Sequence, residues 1–268
     1  MANMNSINLK ERLIFAEKLA IDAGKIIISE REKSLKLENK EFNELVTSAD
    51  LKADRFISEE IKKKFYNDEI FSEESATHCT PTIKGISWII DPIDGTVNFA
   101  HDHPIFGVSI GMAIDAEIKL GVVHCPNLGE TFTAIKGEGS YLNKKRLIAN
   151  ITPILVKNSV IATGFPYDRN QLDYVLGNLK KIMQNCAGMR RCGSAAIDLC
   201  WVAANRVDGY YETVKIWDIA AARIIASEAG IMMGNFTQTE ENIPHDYRCK
   251  DFIATSPSIY NDLLKILI

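Results

Sequence analysis

The stretch Trp88-Ile-Ile-Asp-Pro-Ile-Asp-Gly-Thr-Val-Asn-Phe99 limits what this chain can form more than any other. It begins as the apolar run of a buried strand and then changes character abruptly. Asp91 and Asp94 stand either side of Pro92, and proline continues neither a helix interior nor a central strand. The strand is therefore expected to end near Ile90, with both carboxylates on a tight turn at its tip. Gly95 lets a ligand approach the backbone closely, and Thr96 offers a hydroxyl beside it. Two carboxylates converging at a strand end repel each other unless a proton or cation lies between them. Hard cations such as Mg²⁺ take such oxygen ligands. Asp-Pro and Asp-Gly pairs also form plain turns whose carboxylates cap backbone amides, so the motif alone leaves both readings open.

Around that stretch, helical and strand patterns alternate. Leu13, Ala16, Ala20, Ala23 and Ile27 recur at helical spacing, which predicts an amphipathic helix over 8–32. Residues 34–44 are charged and aperiodic, as a loop or loose hairpin is. Thr47 or Ser48 can cap a second helix with apolar positions Ala53, Ile57, Ile61 and Phe65. Asp50 lies in its first turn, where the helix dipole favours a carboxylate. Ile70-Phe71 reads as a short strand followed by Glu73-Glu74. Neighbouring side chains there point to opposite sides, so one acid faces whatever lies beyond the strand. After the Asp-rich stretch, 107–114, 118–123 and 131–135 form strands joined by short turns, an antiparallel meander. A strand at 160–163, a helix near 172–184 and a helix behind the cap Ser194 follow. A strand ends at Glu212, and Trp217-Asp218 open a helix that Gly230 stops. Capping by itself accounts for Ser194, and a helix start for Asp218. Strands at 231–233 and 252–255 and a helix from Ser258 finish the chain, with no internal repeat or flexible linker.

The chain has 268 residues, 46% of them hydrophobic and 25% charged, enough for one large core or two intimate halves. A net charge of −4 gives no support for a nucleic-acid-binding surface. The six cysteines are scattered without a C-x-x-C pair, so they read as reduced, buried thiols rather than a disulfide or zinc framework. No apolar run approaches the ~20 residues of a membrane span, and no signal-peptide pattern opens the chain. A cytoplasmic protein without a membrane partner is expected. His101 and His103, beside so many oxygen ligands, read as surface or rim residues.

Five segments together resemble a known family: Leu45-Val-Thr-Ser-Ala-Asp50, Phe71-Ser-Glu-Glu-Ser75, the 88–99 stretch, Arg191-Cys-Gly-Ser-Ala-Ala196 and Trp217-Asp-Ile-Ala-Ala221. Their order and spacing resemble the inositol monophosphatase family, within the Mg²⁺-dependent, lithium-sensitive phosphatases that include fructose-1,6-bisphosphatase. The resemblance implies a layered αβαβα sandwich of the α/β class. It also implies an N-terminal part, 1–150, of a helix pair on an antiparallel sheet that carries the metal site. A C-terminal α/β half, 151–268, would complete the active site.

The same resemblance implies roles for single residues. Glu74, Asp91 and the carbonyl of Ile93 would hold one Mg²⁺, and Asp91, Asp94 and Asp218 a second. Glu74 and Thr96, with Asp50, would orient the attacking water. Asp94, Gly95, Thr96, Gly193, Ser194, Ala195, Glu212 and Asp218 would contact the phosphoester. A lysine over the metal site would be Lys40 or Lys36. Ser72 stands where the family usually has glycine, and Thr213-Val-Lys-Ile216 is shorter than the usual segment; Lys215 could favour a second anionic group. The implied function is hydrolysis of inositol monophosphate and related small sugar or polyol phosphates by a lithium-sensitive homodimer. Fructose-1,6-bisphosphatase, bisphosphate nucleotidase and histidinol phosphatase activities are alternatives, as is a regulatory binding role in a transcription complex.

Overall fold

The computed structural model describes residues 7–32, 37–39, 45–76, 80–166 and 169–268. Helix α1 (Leu9–Arg31) starts at Asn8, whose side chain accepts from the Glu11 amide. Helix α2 (Ser48–Lys64) starts at Thr47, which shares a reciprocal capping box with Asp50. Between them β1 (Leu37–Asn39) and β2 (Leu45–Thr47) pair antiparallel. Ala16, Ala20, Ala23 and Ile27 of α1 and Ala53, Ile57 and Ile61 of α2 are the buried stripes. They pack with Trp88, Ile90, Val108, Ile110, Leu120 and Val122 on one face of the first sheet.

That sheet runs in chain order through β3 (Glu69–Ser72), β4 (Ile86–Asp94), β5 (Gly107–Ile114), β6 (Glu117–Cys125), β7 (Glu130–Ile135), β8 (Gly139–Leu142) and β9 (Lys145–Arg146). Strand β3 is parallel to β4 and every later pair is antiparallel. Strand β4 does not end at Ile90, as the sequence suggests, but runs on to Asp94. Asp91 still pairs with Ser109, and Asp94 pairs with Gly107 after a register shift. A bulge takes up Pro92, which has no N–H for the ladder, so the proline interrupts β4 without ending it.

The second sheet has the order β11 (Gly188–Arg190), β10 (Val160–Thr163), β12 (Gly209–Glu212), β14 (Phe252–Thr255) and β13 (Met232–Asn235). Helices α5 (Ala195–Ala203) and α6 (Ile216–Ala229) lie between the sheets: Ile197, Leu199, Ala220 and Ile224 share one core with Ile89, Val123 and Phe132 on one side and Ala162, Tyr210 and Ala254 on the other. Helices α4 (Leu172–Met183) and α7 (Tyr260–Leu267) cover the outer face, with Ile182 and Leu263 against Tyr211 and Ile253. The layers are thus helix, sheet, helix, sheet, helix. Close contact of α6 with the first sheet depends on Gly121, where a Cβ would overlap the Ala221 carbonyl oxygen. Among the described residues no helix is long and apolar enough to cross a membrane.

Candidate active site

The bulge in β4 delivers Asp91 and Asp94 to the sheet end as buried groups, 2% and 7% exposed. Ile93 N donates to Asp91 Oδ1 at 3.0 Å, which holds the bulge. Gly95 then turns the chain at φ 96°, a conformation open to glycine, into the five-residue helix α3 (Thr96–Ala100). Thr96 Oγ1 lies 3.0 Å from both Asp50 Oδ1 and the Ile93 carbonyl. It carries one hydrogen and serves one acceptor at a time. The other oxygen of Asp50 accepts from Thr47 N at 2.8 Å and from the Thr47 hydroxyl. Asp50 therefore caps α2 and faces Thr96 at the same time. Burial pushes its carboxyl up against the pull of those hydrogen bonds.

Asp94 is enclosed by the start of α5. Its Oδ2 accepts from Ser194 Oγ at 2.5 Å and Ala196 N at 2.7 Å, and Oδ1 from Ala195 N at 3.2 Å. The donors expected to meet substrate at Ser194 and Ala195 are thus turned onto a protein carboxylate. Burial still pushes Asp94 up to about 6. Gly193, at φ 88°, bends the chain into this cap, and Asn98 Nδ2 ties α3 to it by donating to the Cys192 carbonyl at 2.7 Å. Asp218 Oδ2 accepts from Lys215 N at 2.7 Å, closing the first turn of α6. Burial, then the charges of Asp94 and Glu73, hold Asp218 well above the carboxylate range.

For Asp91 the causes are burial, then the charges of Glu73, Asp94, Asp218 and Asp50. Glu73 acts on both Asp91 and Asp218, and Glu74 is not among the groups that do. The backbone explains the exchange. Glu73 N donates to the Ile90 carbonyl at 3.1 Å, extending the β3–β4 ladder toward the Asp91 bulge. The chain turns at Glu74, with the Ser75 and Ala76 amides bonding back to the Ser72 carbonyl. Glu73 therefore replaces Glu74 as the acid the geometry favours.

Glu212, at the end of β12, is half-buried and receives the Tyr210 hydroxyl on Oε2 at 2.7 Å. Burial pushes it up to about 7, against the Tyr210 bond and the Arg191 charge. Asp198 was missed by sequence reasoning: it is 1% exposed inside α5, its Oδ1 has no partner, and burial pushes it well up beside Cys192 and Glu212. Its signal is that it is the one acid in the apolar run Ala195–Ala203. His101, His103 and Lys215 are exposed, and only the backbone of Lys215 enters the site. Lys36 and Lys40 lie outside the described residues.

Among the described residues no group of three His, Cys, Asp or Glu side chains stands in an arrangement that could hold a metal ion; Asp50, Asp94 and Asp218 are each turned onto protein donors. What gathers is negative charge. The charges of Glu73, Asp94, Asp218 and Asp50 all raise Asp91, and an all-oxygen, mutually repelling donor set fits a hard divalent cation.

A layered αβαβα sandwich with buried acids where a strand end meets two helix starts defines the class of protein. The profile of the inositol monophosphatase family matches residues 8–267, and the chain belongs to that family. It is 38% identical over 257 residues to the Nus factor SuhB of Pasteurella multocida, covering 94% of each chain. Among solved structures it is similar to the Thermotoga maritima IMPase, at 33% identity and TM-score 0.84 over 96% of each chain. It is also similar to the extragenic suppressor protein SuhB of Bartonella henselae, at 32% identity and TM-score 0.85 over 97% of this chain and 98% of that one. Phosphatase activity and use of Mg²⁺ are general to the family.

Proposed function

We propose that the protein hydrolyses phosphomonoesters of small polyols and sugars, inositol monophosphate among them, with Mg²⁺. The observation that carries this reading is the gathering of Glu73, Asp94 and Asp218 close enough to the buried Asp91 for their charges to raise it, with Asp94 buried beside it. Glu73, Asp91 and the Ile93 carbonyl would hold one ion, and Asp91, Asp94 and Asp218 another. When bound, Mg²⁺ supplies charge neutralisation for the carboxylates and the phosphoryl oxygens and acidifies water. Asp50 Oδ1, by accepting the Thr96 hydrogen, leaves the lone pairs of Thr96 Oγ1 to accept a hydrogen bond from water and orient it. The backbone at Gly95 and Thr96 would face the phosphate. With Oε2 of Glu212 held by Tyr210, Oε1 is left to accept from a substrate hydroxyl.

The test is phosphate release with Mg²⁺ from myo-inositol 1-phosphate, glycerol 2-phosphate, fructose-1,6-bisphosphate and adenosine 3′,5′-bisphosphate, compared as kcat/KM. The shortened Thr213–Ile216 segment favours several small esters over one. A preference for inositol 1-phosphate above about a hundredfold, roughly 2.7 kcal/mol, would contradict that breadth. Release from none of the four would remove the reading. Millimolar lithium is expected to inhibit.

A second reading is favoured by the relatives named Nus factor SuhB: a place in a transcription complex, independent of hydrolysis. Co-purification with RNA polymerase by both the wild type and Asp91→Asn would support it. A cytoplasmic homodimer belongs to the same proposal. Leu172, Leu176 and Met183 on α4 are 42%, 47% and 59% exposed and share one helix face. Sedimentation at the monomer mass would argue against the dimer.

A further inference from the structure

The three residues between β12 and α6, Thr213 to Lys215, join two functional carboxylates, Glu212 and Asp218. Such a link fixes how far apart those groups stand, yet Thr213 and Lys215 are exposed and pack little themselves. What holds the link is Asp251, which is 2% exposed and sits just before β14. Thr213 Oγ1 donates to Asp251 Oδ1 at 2.9 Å and accepts from Asp251 N at 2.9 Å, so one hydroxyl is gripped twice by one residue. Asp251 Oδ2 accepts from Thr237 Oγ1 at 2.5 Å, and its carbonyl accepts from Phe236 N at 2.9 Å, which moors it to the end of β13. Val214 N donates to the Cys249 carbonyl at 3.2 Å, a further tie between the two loops.

The placement matters because Phe252, next to Asp251, is the cross-strand partner of Glu212. Asp251 also has φ 49°, a left-handed backbone that an aspartate adopts at some cost and that persists where its surroundings hold it. A buried carboxylate whose two oxygens are met by hydroxyls of two different loops is a clamp rather than an incidental surface contact.

We infer that Asp251 is a positioning residue that, through Thr213, sets the place of Glu212 and of the start of α6, and so the selectivity of the site for the alcohol part of its substrate. This deepens the hydrolase reading and rests on it. An ester with hydroxyls beside its phosphate uses Glu212, whereas an aryl phosphate without hydroxyls does not. Release of the clamp therefore separates the two substrates.

The experiment compares wild type, Thr213→Val, Thr213→Ser and Asp251→Asn on myo-inositol 1-phosphate and p-nitrophenyl phosphate. Hydrogen exchange of the Val214 and Lys215 amides is measured in parallel. Thr213→Val is expected to raise KM for the inositol ester about tenfold, with kcat on both esters and KM for the aryl ester within about twofold. Thr213→Ser, which keeps the hydroxyl, restores the inositol KM. Asp251→Asn falls between. The two amides exchange at least about tenfold faster in Thr213→Val than in wild type or Thr213→Ser. Equal losses on the two esters, or no loss on either, with unchanged amide exchange would overturn the clamp. If wild type hydrolyses neither ester, the hydrolase reading fails and the amide exchange still decides whether Asp251 positions the loop.

Discussion

Burial and the charges of Glu73, Asp94, Asp218 and Asp50 raise Asp91, so an added positive charge would relieve it. Asp91→Asn keeps the volume of the side chain and removes one charge from that balance. Its Mg²⁺-supported kcat is expected to fall at least about a hundredfold, roughly 2.7 kcal/mol, with an unchanged circular dichroism spectrum. Activity within a few-fold of wild type at saturating Mg²⁺ would remove Asp91 from the site. The paired acids upstream give a sharper contrast. Glu73→Gln should depress kcat strongly and Glu74→Gln should leave it near wild type, because Glu73 is the one that acts on Asp91 and Asp218. Adjacent residues alternate sides, so the sequence shows that one of the two faces the cluster. Which one depends on the Glu73 amide joining the Ile90 carbonyl, a pairing between segments that no local pattern reveals.

At the scale of elements, amphipathic spacing and caps locate the helices well, since both signals are local. Helix α1 starts at Asn8 and α6 stops at Gly230, where the sequence places those limits. Strand β4 differs because a bulge, a property of two strands, absorbs the Pro92 that a single strand would reject. The start of α5 differs for a similar reason. A helix N-terminus with a serine cap reads as an anion site, and the anion present is Asp94, a hundred positions away from Ser194. The contact of α6 with β6 yields its own prediction. Gly121→Ala forces a methyl group into the Ala221 backbone, and overpacking of that kind costs about 1–3 kcal/mol. Urea unfolding should show a loss at the upper end of that range, because backbone cannot move aside as a side chain can. A midpoint equal to wild type would show that the two layers stand further apart than described.

For the whole molecule, the described core binds the two large sheets and six helices (α1, α2, α4, α5, α6 and α7) into one layered body, and its centre holds several acids above their ordinary range. Glu212 illustrates the consequence for stability. Its folded value of about 7 lies above the unfolded value of 4.5, so between those limits the folded chain holds more protons than the unfolded one. Stability therefore falls as pH rises through that window. Wild type without divalent cations should lose on the order of 2 kcal/mol from this half-buried group between pH 4.5 and 7. Glu212→Gln should flatten that part of the profile, and an identical slope in the two proteins would show that Glu212 ionises freely.

On the proposed function, the acids around Asp91 bind Mg²⁺ and this binding drives phosphomonoester hydrolysis. The most direct test is a Mg²⁺ titration of inorganic phosphate release from myo-inositol 1-phosphate by wild type, Glu73→Gln and Glu74→Gln under one set of conditions. The predicted result is saturable, Mg²⁺-dependent release by wild type and Glu74→Gln, with Glu73→Gln needing at least about tenfold more Mg²⁺ and reaching a lower plateau. Release that is independent of Mg²⁺, or equal in all three proteins, would contradict the account.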